Sequence, residues 1–158
     1  MPVTREQFFG LMASFASSVT VITCKGSDGS LRGLTATAFS SVSLEPRLCL
    51  VGVDNRSESV GIIKETGHFV VNILAHDQEE ISRRFASKIP DKYEGVEYRL
   101  GPETGAPILE GVLAWIECKL YSAVDGGDHT VFIGEILDGT ANEGTPLLYF
   151  RGQYRHLG

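Results

Sequence analysis

The chain lacks any apolar run near the roughly 20 residues that a bilayer-spanning helix needs; its apolar stretches are short, RLCLVGV among them. No membrane role is expected. The amino terminus, MPVTREQFFG, lacks the basic segment and apolar core of a secretory signal, which predicts a cytoplasmic protein. Positive charge is also scarce, with 14 Lys and Arg against 20 Asp and Glu and a net charge of −6. That balance argues against nucleic-acid binding but leaves room for a small basic pocket holding an anionic ligand. Cysteine is rare, and Cys24, Cys49 and Cys118 lie far apart in strand-like runs without the pair spacing of a zinc or redox motif. They are expected to be buried thiols. His68, His76, His129 and His156 show no ligand spacing either, so no metal is predicted.

What remains is 158 residues, 42% apolar and 22% charged, which suits a single globular domain over residues 1–158. Thr4 and Gln7 form a capping box for a first helix whose Phe8, Leu11, Met12 and Phe15 share a face predicted to pack on a sheet. Then VTVIT, a KGSDGS turn, LRGLTATAFSSVSLEP and RLCLVGVD read as antiparallel strands. A short helix is predicted over 57–65, a strand at HFVVNIL, and a helix at DQEEISRRFA with Asp77 and Glu80 placed for capping. Residues 87–110, rich in Gly, Pro, Lys and Glu, read as an excursion over the surface. VLAWIECKLYSAV, HTVFIGEILDGTA and LLYFRGQYRHL supply three closing strands. Many strands with few helices and no βαβ rhythm predict a mainly β fold, a closed or nearly closed antiparallel barrel.

Four segments could carry chemistry. In GLTATAFSSVSLEP, Thr35, Thr37, Ser41 and Ser43 crowd hydroxyls onto one strand region. A solvent-facing strand is the plainer reading; the functional one is a floor that a planar ligand such as a flavin ring can approach closely. In VDNRSESVG, Asp54 and Asn55 suit a turn and Ser57 a helix cap, with Arg56 beside the helix amino terminus. That is either an ordinary capped helix or a phosphate site. SRRFA sets Arg83 and Arg84 beside Phe85; each arginine either complements the helix dipole or reaches a phosphate, and the two are not told apart. In DGGDHTVFIGE, Gly126 and Gly127 make a turn and His129 enters a strand. It is either a wet strand-end residue or a ligand-site imidazole.

GLTATAFSSVSLEP, VDNRS, VNIL with DQEEISRRFA, GDHTVFIGE and LLYFRGQY, in this order and over almost the whole chain, resemble the short-chain flavin reductase family. More narrowly they resemble the reductase components of two-component flavin-dependent monooxygenases, such as those acting with 4-hydroxyphenylacetate or phenol hydroxylases. The resemblance implies an antiparallel split β-barrel with a few flanking helices, working as a homodimer. It also implies a nicotinamide cofactor, NADH or NADPH, reducing FMN or FAD for a partner monooxygenase. By position, Thr35, Ala36, Thr37, Ala38, Phe39, Ser41 and Val42 should line the flavin ring and ribityl chain. Arg56 and Ser57 fall at its phosphate, and Arg84, Phe85 and Ala86 at its remaining contacts. His129, Arg151 and Tyr154 fall at the nicotinamide; no catalytic acid, base or metal is assigned. Two departures stand out, Arg47 after SLEP and Glu58 after DNRS. The glutamate should weaken a second phosphate, which favours FMN over FAD. Reduction of a corrin or ferric chelate, and flavin storage or sensing without turnover, are the rival readings.

Overall fold

Runs of β-branched residues punctuated by glycine turns give twelve strands and three helices, seen over residues 1–158 in a computed structural model. The chain runs α1 (Arg5–Ala13), β1 (Ser17–Ser18), β2 (Thr20–Lys25), β3 (Leu31–Ala36), β4 (Phe39–Ser43) and β5 (Leu48–Asp54). It continues through α2 (Ser59–Thr66), β6 (His68–Ile73), α3 (Glu79–Ala86), β7 (Tyr98–Leu100) and β8 (Pro107–Leu109). It closes with β9 (Ala114–Gly126), β10 (His129–Ala141), β11 (Leu148–Phe150) and β12 (Gln153–Arg155).

Seven strands form one antiparallel sheet in the order β3-β2-β6-β9-β10-β5-β4. Its two edges, β3 and β4, are consecutive in sequence, with only Thr37 and Ala38 between them. In a flat sheet, six spacings of about 4.8 Å would hold those edges about 29 Å apart. Three residues of extended chain span at most about 11 Å. The sheet therefore has to curl until its edges meet. The Gly52 N–H donates to the Ala38 carbonyl at 2.9 Å and fastens the linker to β5. β3 and β4 share no ladder, so the barrel stays split along this seam.

Alternation along β2 sends Ile22 and Cys24 inward, against Val51, Val53, Phe69 and Phe132. Val19 and Val21 face outward onto Phe85, Tyr93 and Leu147. All three thiols are buried, as expected, but Cys49 and Cys118 sit 3.7 Å apart, sulfur to sulfur. Gly134 opposite them has no room for a side chain: a Cβ there would lie 2.7 Å from the Phe69 ring and 2.8 Å from the Cys118 Cβ.

Several expectations need correction. The α1 capping box forms, yet none of the helix's residues is buried, and Phe8, Leu11, Met12 and Phe15 stand exposed instead of packing on the sheet. The outer face of β2 is already covered by α3 and the chain around Leu147. Asp77 and Glu80 do not cap α3, which starts after Gln78. The Gln78 amide is occupied elsewhere, accepting from the Ala75 N–H and donating to the Glu110 carbonyl. LRGLTATAFSSVSLEP is two strands, broken at Thr37 and Ala38, and LLYFRGQYRHL is a hairpin turning at Arg151 (φ 49°) and Gly152 (φ 74°).

Residues 87–110 are more than a surface excursion, because they hold the β7–β8 hairpin and bury Tyr93, Ala106, Ile108 and Leu109. Polar residues of the sheet stitch them down. The Asn72 side chain accepts from the Leu109 N–H, and the Thr23 hydroxyl donates to the Pro107 carbonyl. The fully buried Glu117 carboxylate accepts from the N–H groups of Glu103 and Thr104 and from the Thr104 hydroxyl.

Candidate functional site

Beside the seam, on the β3 side of the Thr37–Ala38 linker, lies a cleft of about 620 Å³. β3 gives one wall, the β5–α2 junction the other, and the end of α3 with residues 87–92 the rim. Gly33 is required where β3 meets α3, because a Cβ there would come 3.0 Å from both the Phe85 ring and the Ile22 carbonyl oxygen. Thr35 ties the same two elements together by donating its hydroxyl to the Ser82 carbonyl at 2.6 Å.

Charge inside the cleft runs against the charge of the chain. Arg32, Arg56, Lys88 and Lys92 line it, against two carboxylates, Asp54 and Glu58. Arg56 grips Asp54 through Nη2 at 2.7 Å and Nε at 3.1 Å, and the Arg56 N–H adds a third bond at 2.9 Å. This guanidinium holds the Asp54 carboxyl well below the usual carboxylate range. Arg32 pairs with Glu58, whose hydrogen bond raises the arginine's affinity for its proton. Lys92 donates to the carbonyls of Gly33 and Phe85, both at 2.9 Å, and its desolvation lowers its pKa. Two of its three donors are thus spent on the wall.

The two arginines of SRRFA have different tasks. Arg84 donates to the carbonyls of Lys92 and Asp91 at 2.7 and 2.9 Å, so it shapes the rim and does not line the cleft. Arg83 pairs with Glu79 and lies 4.8 Å over the Tyr154 ring.

His129 opens β10, paired across the ladder with Asp54. The VDNRS and GDHT motifs form one unit: Asn55 N–H donates to the Asp128 carbonyl at 2.9 Å, and the Thr130 hydroxyl donates to the Asn55 side chain at 2.6 Å. His129 Nδ1 meets Asp128 Oδ1 at 2.8 Å, which leaves Nε2 without a partner in the chain. A Cβ on Gly52 would lie 3.1 Å from the Ala38 methyl and 4.0 Å from the imidazole, so this glycine brings His129 up to the linker.

The structure therefore gathers Thr35, Arg56, Ser57, Phe85 and Ala86 in the cleft. Ala36 is buried, its carbonyl accepting from the Thr20 hydroxyl at 2.6 Å. Thr37, Ala38, Ser41 and Val42 are exposed and Phe39 is half-buried along the adjoining edge, where His129 stands. Arg151 and Tyr154 belong to the β11–β12 hairpin, tied to α1 by the Arg151 N–H on the Ala13 carbonyl and to α3 by Tyr154 on Ser82 Oγ at 2.7 Å. Neither bonds to His129. Sequence reasoning missed Arg32, Lys88 and Lys92; the contrast between a basic cluster at 83–92 and an acidic chain signalled the two lysines, and nothing local signalled Arg32.

Comparison with known proteins gives this arrangement a family. Residues 12–158 match the family described as the flavin reductase like domain. A flavin reductase of Pseudomonas putida is 38% identical over 150 residues, covering 94% of this chain and 88% of that protein. The reductase subunit HsaB of a flavin-dependent monooxygenase from Rhodococcus jostii is 40% identical over 150 residues, covering 94% of this chain and 76% of its own. Among solved structures, the NADH:FAD oxidoreductase SgcE6 of Streptomyces globisporus, in complex with NAD and FAD fragments, superposes with a TM-score of 0.93 at 35% identity over 98% of this chain and 93% of that one. A split barrel with a cationic seam, matched in sequence and in shape over nearly its full length, makes this chain a member of the flavin reductase family.

Proposed function

We propose that this chain is an NADH-dependent flavin reductase that supplies reduced flavin to a partner monooxygenase. One observation carries the reading: an acidic chain concentrates four cations on the seam of its barrel, beside an edge of small residues and a histidine. Such a cleft fits a planar ring bearing a phosphate. When bound, the flavin supplies the redox chemistry, taking hydride from the nicotinamide.

The chain's own part is to bind and orient. Arg56 and Ser57, beside the first turn of α2, present a guanidinium, a hydroxyl and the positive end of a helix dipole to the phosphate. Gly33 and Thr35 keep the β3 wall low, and Phe85 and Ala86 offer apolar surface from α3. Arg84 acts at one remove, fixing the 91–92 backbone that lets Lys92 reach the wall. Thr37 to Val42 form the exposed edge for the ring, and His129, steadied by Asp128, orients the nicotinamide beside it. Arg151 and Tyr154 lie on a separate hairpin and close over that cofactor only if a second copy brings them near. The exposed α1 supports such a homodimer.

Glu58 is paired with Arg32, so its charge by itself does not exclude the second phosphate of FAD. FMN, which needs only one phosphate site, is the flavin assigned, with FAD as the alternative. Anaerobic mixing of the protein with NADH and excess FMN or FAD tests the function. Catalytic bleaching of the flavin's visible absorbance is expected. Binding without bleaching would make the chain a flavin store, and NADH oxidation that turns over only when a ferric chelate or corrin is added to accept the electrons, with the excess flavin left unbleached, would make it a metal-complex reductase.

A further inference from the structure

Glu58 occupies the position where the charge of the cleft is set. It caps α2 without a side-chain bond to its own helix, is 74% exposed at the side chain, and its one partner is Arg32. Asp54, the other carboxylate, has structural work: it accepts from the Arg56 backbone and guanidinium and sits in the β5–β10 ladder opposite His129. Glu58 has no comparable task in the fold.

Its location is nonetheless one that a phosphate would use. A carboxylate at a helix amino terminus is favoured by the same dipole that favours a bound phosphate, and its guanidinium partner lines the same cleft. Of the other three cations only Lys88 has no partner in the chain. Arg56 is held by Asp54, and Lys92 has spent two donors on the Gly33 and Phe85 carbonyls. A flavin phosphate held at the Arg56–Ser57 end of α2 that also engages Arg32 shares it with Glu58 or displaces the carboxylate, and it meets a like charge while doing so.

We infer that Glu58 is a specificity-determining residue that competes with the flavin phosphate for Arg32, so that flavin is bound loosely and released as a substrate. The inference rests on the reading of the cleft as the flavin site. It assigns a cause to flavin turnover: an internal carboxylate replaces the phosphate as it leaves, and the vacated guanidinium is never unpaired. With the Arg32 and Glu58 side chains 43% and 74% exposed, the competition is screened by salt.

Fluorescence titration of the purified protein with FMN and with riboflavin, which has no phosphate, separates the possibilities. For Glu58→Gln the FMN Kd should fall about three- to fivefold, the range open to a surface ion pair, with FMN released more slowly in stopped-flow displacement. Riboflavin affinity should stay within about twofold, and the FMN gain should shrink at high salt. In an Arg32→Ala background the same substitution should lose most of its effect. An FMN Kd that is unchanged or higher in Glu58→Gln, or a riboflavin Kd that falls as far as that of FMN, would overturn the inference while leaving the flavin site standing. Wild-type protein that binds neither FMN nor riboflavin would remove the flavin site itself and the inference with it.

Discussion

His129 owes its place to its neighbours: Asp128 holds one ring nitrogen, and the Asn55–Thr130 bond fixes the strand end that carries it. Since it stands beside the Gly52–Ala38 approach and bonds to none of the cations lining the cleft, removing it should separate the two proposed cofactor sites. His129→Ala is expected to raise the KM for NADH about tenfold, the loss of one good polar contact, with flavin affinity within about twofold. Steady-state kinetics and a flavin titration check this; a lost flavin affinity with an unchanged KM would reassign the residue. Cys24 makes a different prediction. Burial pushes its thiol from 9.0 up to about 11, with a Ser59 hydrogen bond and Arg32 pulling weakly the other way. Between those values the unfolded chain has released this proton and the folded chain has not, so stability present below pH 9 is lost as pH rises towards 11. Its size is about 2–3 kcal/mol. Urea unfolding between pH 8 and 11 should therefore show a shallower decline for Cys24→Val than for wild type, and the difference isolates this thiol from Tyr93 and Lys92.

At the scale of elements, strands were legible wherever alternation and turn glycines agreed, as in VTVIT, HFVVNIL and the long β9–β10 pair. Local chemistry was legible too, since the Thr4–Gln7 capping box forms as read. What could not be read is where an element goes once formed. The apolar stripe of α1 is a correct helix signal, but the surface that would receive it is taken by α3, a contact between residues over 60 positions apart. Likewise the site was legible in its motifs but not in its ion pairs. Glu58 and Arg32 are 26 residues apart, and Lys92 reaches Gly33 across 59, so nothing local announces either. Gly33 is the position where fold and site meet most tightly. Its Gly33→Ala variant must push the Phe85 ring away or strain β3 against the Ile22 carbonyl. It should lose about 1–3 kcal/mol of stability and weaken flavin binding, because Phe85 and Ala86 form the α3 side of the cleft. Urea unfolding and FMN titration on the same preparation check both effects; full stability with full affinity would show that α3 shifts without cost.

For the molecule as a whole, the barrel is complete within one chain but the surface is not. Phe8, Phe9, Leu11, Met12 and Phe15 stand between 49% and 77% exposed around one short helix. Nine residues of isolated helix are marginal in water, so α1 needs a surface to lie on. The chain's own sheet does not offer one. A patch of this size on a free monomer is also unusual, and a second copy presenting the same patch would bury it twice over with no further partner. On this reading the helix is a structural element of the dimer and adds nothing to the monomer's core. Leu11→Glu should then shift the protein from dimer to monomer in sedimentation velocity while leaving a cooperative unfolding transition, because no buried residue changes. The hairpin carrying Arg151 and Tyr154 is fastened to α1 at Ala13, so the same variant should raise the KM for NADH more than it weakens FMN. A Leu11→Glu protein that remains dimeric would place the interface elsewhere, and a wild type that sediments as a monomer would leave α1 to a different partner.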